Sequence, residues 1–309
     1  FMVRRTRSFI QENYATRDPV NGRKFLTFPD GTRSYFPERK PKTVKFEVND
    51  KDANDQYARL YAPKVVTAIN ALVLPRYGLG NYIAARPHPP PTKAEAEQIQ
   101  DLNRAGQRLK GFCRTNLFKR LESCGEAFQQ SIERHILRNY IFLHALAQDL
   151  PLPIGTQDAG LLDAGNYDED VDDPSADAEL LEAEDGDFQP AVKLKLRHAA
   201  DYQARAAEIY AQYAHQFKTR FKWLRPGLFE ASLSAALQKD ADRLLRVLKH
   251  AGDWHPGQDA KLRALHTLLT RTHPTEKVII FTQFADTARY LTRELARLGV
   301  RSLAGVTGE

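Results

Sequence analysis

The chain has little of what most enzyme sites and membrane anchors require. Among its 309 residues are only two cysteines, Cys113 and Cys124, eleven positions apart on what reads as continuous helix. Eleven residues make about three turns, so both thiols can share a face while standing about 16 Å apart along the axis. That is too far for a disulfide within one helix. They read as two buried cytosolic thiols. No apolar run approaches the roughly 20 residues of a membrane span. Residues 1–3 lead straight into Arg4, Arg5 and Arg7 without the apolar segment of a secretory signal. There is no G-x-x-x-x-G-K-[ST] loop to cradle nucleotide phosphates and no G-x-S-x-G elbow for a nucleophilic serine. The nine histidines are scattered: His135 and His144, or His250 and His255, lack a metal-site context. Residues 168–173 are rich in aspartate but lack the glycine and terminal glutamate of a calcium loop. The expectation is no catalytic residue, no metal and no cofactor site within this stretch.

What is present is charge, unevenly placed. The formal net charge is +6, from 45 Lys and Arg against 39 Asp and Glu. Residues 158–187 hold 13 of the acidic residues and no Lys or Arg, leaving 26 acidic against 45 basic residues and a net of +19 elsewhere. A body that basic suits a polyanionic partner, nucleic acid first, with a merely solvated basic surface as the alternative. The acidic segment has too little apolar content to build a core and is expected to be disordered or a mobile loop. Hydrophobic residues at 42% and charged residues at 27% fit a globular protein long enough for two domains.

Taken in order, residues 13–41 are rich in Asp, Gly, Pro and Arg and read as loop. Thr43 to Val48 alternates apolar and polar residues, which predicts a half-buried strand. A helix through Gln56, Tyr57, Leu60 and Tyr61 should be broken by Pro63 and resume from Val65 to Leu74. Thr92 and Glu95 match a capping box. From there to about Ala147, Leu117, Leu121, Phe128, Ile132, Ile136 and Leu143 recur at helical spacing, with Gly111 and Gly125 as candidate breaks. Arg114, Lys119, Arg120, Arg134 and Arg138 fall on the predicted polar side. Residues 190–250 turn helical again, interrupted at Pro226 and Gly227. There Tyr202, Ile209, Tyr210, Tyr213, Phe217, Phe221 and Trp223 form an aromatic stripe that reads as core or as a stacking platform for single strands. A short amphipathic helix is expected over 261–271. The stretch 277–295 then predicts a buried strand, Val278 to Phe281, ending in polar Thr282 and Gln283. A helix carrying Leu291, Leu295 and Leu298 follows, with Gly299 just beyond it and a second strand from Val300 to Ala304. In open α/β sheets ligands meet the carboxyl ends of strands, which puts Thr282 and Gln283 in position to touch one.

Several of these stretches together resemble the Swi/Snf-type DNA translocases of helicase superfamily two, and in particular their bacterial members. Residues 1–7, FMVRRTR, resemble the segment near the end of the first RecA-like lobe, with Arg7 where the family usually has Lys. Residues 55–61 resemble the family's Q-x-x-L-Y helix start. Residues 118–123 with Ala127 and Phe128 are similar to an LLKRLESS…AF stretch, with Phe118 and Cys124 departing from it. Residues 259–262 and 277–284 resemble the lead-in and motif IV of the second lobe. The resemblance covers nearly the whole chain. It makes the chain a piece of a longer protein lying between motif III and motif IV, without the phosphate loop, the acidic magnesium box or the arginine finger.

The fold class expected is mainly α with a small α/β part, a helical insertion domain joined to the start of a RecA-like α/β lobe. Residues 1–48 would end the first lobe, 49–256 would form the helical insertion region, and 257–309 would start the second lobe. The resemblance further implies double-stranded DNA as partner, no membrane, a bacterial cytoplasmic, nucleoid-associated setting, and ATP with Mg²⁺ as cofactors of the parent protein only. The fragment alone would be inactive. Its DNA contacts would be Thr282 and Gln283, with Arg4, Arg5 and Arg7 serving either DNA or acidic partners between lobes. The alternative is a non-catalytic helical module that docks a protein partner, or an autoinhibitor acting through the acidic segment.

Overall fold

A computed structural model of the chain describes residues 6–36, 45–155 and 196–307, with backbone only for 103–109. The acidic segment 158–187 and the Arg4 and Arg5 positions lie outside the described residues. The chain divides into two compact units, Phe1–Val44 and Lys45–Glu309.

The first unit carries helix α1 (Arg7–Asn13), capped by the Thr6 hydroxyl accepting from the Phe9 amide at 3.2 Å. Three short strands follow, β1 (Thr16–Arg17), β2 (Lys24–Thr27) and β3 (Arg33–Tyr35), paired antiparallel in that order. The sequence predicted loop here. The strands are two to four residues long, too short for alternation to register, and their glycines serve the turns between them, with Gly22 and Gly31 both at positive φ. Phe25 fills the small core against Tyr35, and Asp18 accepts from the Val20 amide at 2.9 Å and from the Tyr35 hydroxyl.

The second unit is mainly helical. Its elements are α2 (Gln56–Leu60), α3 (Pro63–Asn70), a 3₁₀ segment (Pro75–Tyr82), α4 (Lys93–Ser123), α5 (Gly125–Ala147), α6 (Ala199–His215), α7 (Ser232–Ala251), α8 (Ala260–Thr267) and α9 (Ala285–Arg297). A two-stranded antiparallel ribbon pairs β4 (Leu152–Ile154) with β5 (Lys222–Leu224). Pro63 starts α3 instead of kinking a longer helix, because its missing N–H costs nothing in a first turn. The capping box forms as predicted, the Glu95 amide donating to the Thr92 hydroxyl at 3.3 Å and the Thr92 amide to the Glu95 carboxylate at 2.8 Å.

Helix α5 is the hub, packed by α4, α6 and α7, and nine consecutive residues from Arg134 to Phe142 are buried. The aromatic stripe is core: Tyr202, Ile209, Tyr210, Tyr213 and Phe221 are buried, and Phe217 and Trp223 pack against them half-buried. A second, smaller cluster joins Cys124, Ala127, Leu262, Tyr290 and Leu295. Cys113 and Cys124 are both free and buried.

Three predicted features differ. Residues 45–48 form no strand, and Phe46 packs its ring on Tyr57 with centroids 5.2 Å apart. Residues 278–281 and 300–304 are not in strands either: no neighbouring strand hydrogen-bonds to them among the described residues, and Ile279, Ile280 and Phe281 are exposed at 66%, 41% and 89%. An apolar run becomes a buried strand only when a sheet receives it. Third, Arg120, Arg134 and Arg138, placed on the polar side by periodicity, are buried. Helix α5 has no solvent side along this stretch.

The long predicted helix runs through Gly111 and breaks at Cys124, in extended backbone, so that Gly125 opens α5. Gly125 is required by close approach: a Cβ there would lie 2.3 Å from the Trp254 ring and 3.0 Å from Leu60. Gly111 faces open space and only lowers helix propensity. Gly125→Ala should therefore destabilise the chain by about 1–3 kcal/mol through overpacking, and Gly111→Ala should be neutral or slightly stabilising. Urea midpoints of the two variants measure the contrast.

Candidate nucleic-acid interface

The residues bracketing Thr282 and Gln283 are fixed by the corner between α4 and α5. Helix α4 ends at Ser123, where its last carbonyls need donors. Lys261 supplies them, its ammonium donating to the Glu122 carbonyl and lying 3.5 Å from the Ser123 carbonyl. The same ammonium sits over the rings of Phe46 and Tyr57, at 5.0 and 5.3 Å. Burial holds the Lys261 ammonium below its ordinary pKa, opposed by the Asp259 and Glu122 charges.

A chain of hydroxyls leaves this corner. Ser123 Oγ lies 2.9 Å from Thr287 Oγ1 and 3.3 Å from Thr282 Oγ1. Thr282 Oγ1 also accepts from the Phe284 amide at 3.3 Å. Helix α9 begins one residue later with no side-chain cap on its amides, the kind of helix start that favours an anion.

Beneath that start lies a buried ion cluster. Asp286 accepts from Arg134 at 2.7 and 3.1 Å and from Arg120 at 3.1 Å. The Arg134 and Asp286 side chains are fully buried, and the Arg120 guanidinium lies 4.7 Å over the Phe284 ring. This cluster fastens the first turn of α9 to both α4 and α5.

The far side of α9 is held by a second polar group. The Tyr290 hydroxyl donates to Asp259 at 2.7 Å and accepts from the Trp254 indole at 3.2 Å. Asp259 also caps α8 through the Leu262 amide at 3.0 Å. Helix α9 ends as predicted with Gly299 at φ 82°, its amide bonded to the Ala296 carbonyl and the Val300 amide to the Leu295 carbonyl, both at 3.0 Å.

Burial pushes the Cys124 thiol up to about 12, helped by the Asp259 charge. Burial and Asp259 likewise raise the Tyr57 and Tyr290 phenols well above the ordinary range. Folding then favours the protonated forms. The stability they contribute is complete below pH ~9, where the unfolded thiol starts to ionise, and falls progressively as pH rises towards 12. Two measurements check this. Urea midpoints should drop between pH ~9 and ~11, and the native thiols should react with a disulfide reagent at pH ~8 on the order of 10²–10³ times more slowly than in urea.

Of the predicted contact residues, Thr282 and Gln283 lie together in the second unit and both are exposed. Gln283 makes no hydrogen bond to a described residue, whereas the Thr282 hydroxyl is engaged as above. Arg7 belongs to the first unit, half-buried, with its guanidinium 5.5 Å over the Phe36 ring. Sequence reasoning missed Ser123, Thr287 and Asp286, which position the loop. Ser123 fell within the resemblance covering 118–123, and Thr287 and Asp286 had no signal, because nothing local marks partners more than 150 residues apart.

Among the described residues no group of three or more His, Cys, Asp or Glu could hold a metal ion, and no helix is long and apolar enough to cross a membrane. Comparison with protein-family models, curated proteins and solved structures found no match to this chain.

Proposed function

We propose that the chain is part of an ATP-driven double-stranded DNA translocase of the Swi/Snf type, contributing its helical insertion, the beginning of a RecA-like lobe and part of the track for the DNA backbone. The observation that carries this reading is the exposed Gln283 amide between an exposed apolar run and the start of α9, whose N-cap Phe284 makes no side-chain cap, in a loop anchored from behind by Ser123 and Asp286. A neutral amide beside the positive end of a helix suits a phosphate oxygen and carries no sequence preference. ATP and Mg²⁺ would be bound by parts of the parent protein that this chain lacks, so the chain alone should hydrolyse no ATP.

The test is duplex binding by fluorescence anisotropy. A mixed-sequence duplex of about 30 bp should bind at about 50 mM salt, and log affinity should fall linearly with log salt as counterions are released. Gln283→Ala should weaken binding by roughly 2- to 10-fold, the worth of one hydrogen bond, and equally on unrelated sequences. No binding at that salt, or ATPase activity from this polypeptide alone, would overturn the reading.

A further inference from the structure

Helix α7 presents a different kind of surface. Its apolar face, Leu233, Leu237, Ala241, Leu244 and Val247, is buried against the core. Five of its residues are exposed: Ser232 and Ala235 in the first half, then Lys239, Arg246 and Lys249. Every exposed residue from Lys239 onward is thus a cation. Ten residues of helix separate Lys239 from Lys249, about 15 Å, over which one DNA strand presents about four or five phosphates at roughly 3.4 Å each.

The carboxylates nearby do not neutralise this stripe. Asp240 is buried beneath it, accepting from the Val73 and Leu74 amides, with Arg243 at 3.4 Å. Asp242 is half-buried and takes the Gln238 amide at 2.8 Å. Asp253, past the end of the helix, is bound by Arg197 at 2.6 Å. Helices α2 and α3 pack on α7 and add positive charge at its C-terminal end. There burial together with the Lys64 and Arg59 charges holds the His250 imidazole below its ordinary pKa. The negative end of the helix dipole accounts for Lys249 and His250 in the last turn. It does not account for Lys239 or Arg246, since that effect fades beyond one turn.

We infer that the Lys239–Arg246–Lys249 face of α7 is a second docking surface for the phosphate backbone of double-stranded DNA, separate from the Gln283 loop. The inference rests on the nucleic-acid reading above and extends it to a surface of the helical body. Exposed ammonium and guanidinium groups with no carboxylate partner among the described residues are the chemistry that counterion release rewards, and contacts to phosphate read no base.

The experiment uses the full 309-residue chain and the same duplex. The triple variant Lys239→Gln, Arg246→Gln and Lys249→Gln keeps helix propensity and removes three charges. The slope of log affinity against log salt between about 50 and 200 mM should become shallower by up to about 3, roughly 0.9 for each phosphate the variant no longer neutralises. Thermal unfolding should be unchanged. If the slope is unchanged while Gln283→Ala still weakens binding, the α7 surface is wrong and the loop reading stands. Absence of duplex binding by the unaltered chain would overturn both. A poly-glutamate peptide displacing the duplex as well as an unlabelled DNA competitor would show a site for acidic protein instead, and would also overturn the inference.

Discussion

Asp286→Ala should cost about 3–5 kcal/mol of folding stability, the largest effect expected of any single charged residue in the chain. The carboxylate receives three hydrogen bonds from two buried guanidinium groups, Arg120 and Arg134. Removing it leaves two cations deep in the protein with their shared anion gone, and the desolvation they suffered on folding is less fully offset. The converse swap is milder, because deleting one arginine leaves Asp286 with the other. Asp286→Asn separates charge from shape, since the amide still accepts but no longer neutralises. Its cost should fall between wild type and Asp286→Ala. Urea unfolding followed by circular dichroism measures all of these variants, and a loss under about 1 kcal/mol for Asp286→Ala would refute this role. Because the ion cluster holds the first turn of α9, the proposed DNA contact of Gln283 would make the same variant weaken duplex binding beyond its effect on the folded fraction.

The second large effect belongs to Asp240. Its carboxylate accepts from the Val73 amide at 3.0 Å and the Leu74 amide at 2.6 Å. Leu74 is buried in the left-handed region, at φ 54°, where a branched residue persists only if its surroundings hold it. Two amides, one fully buried, have no replacement acceptor if the carboxylate goes. At about 1–3 kcal/mol for an orphaned donor, Asp240→Ala should lose roughly 2–4 kcal/mol, and Asp240→Asn less, since one oxygen remains. Equal stability of Asp240→Ala and wild type would show that the turn at 72–75 holds itself.

Both residues show why the helical body was legible and the site was not. Thr92 and Glu95 announced α4 and Gly299 announced the end of α9, because each acts through hydrogen bonds within a few residues; Pro63, expected to break a helix, starts α3. The aromatic stripe and the leucines at 117 and 121 declared a buried face by spacing alone. Asp286 and Asp240 gave no such sign. Each is an aspartate in a helix, and the partners that fix it, apart from Arg243 beside Asp240, lie 152 to 167 residues away. Arg120 and Arg134 were assigned to the solvent for the same reason, since periodicity distinguishes faces but does not reveal that both faces are covered.

By itself the sequence determined much of the helical body: the capped start of α4, the end of α9 at Gly299, which stripes are apolar, and that the chain outside 158–187 is strongly basic. Those properties follow from local hydrogen bonding, the helical period and counting of charge. Only the tertiary structure decided that the apolar run 278–281 stays unpaired. It likewise decided which arginines are buried on Asp286 and that the exposed residues of α7 from Lys239 onward are all cations. A strand exists only when another strand pairs with it, and a charge is free only when no distant partner reaches it.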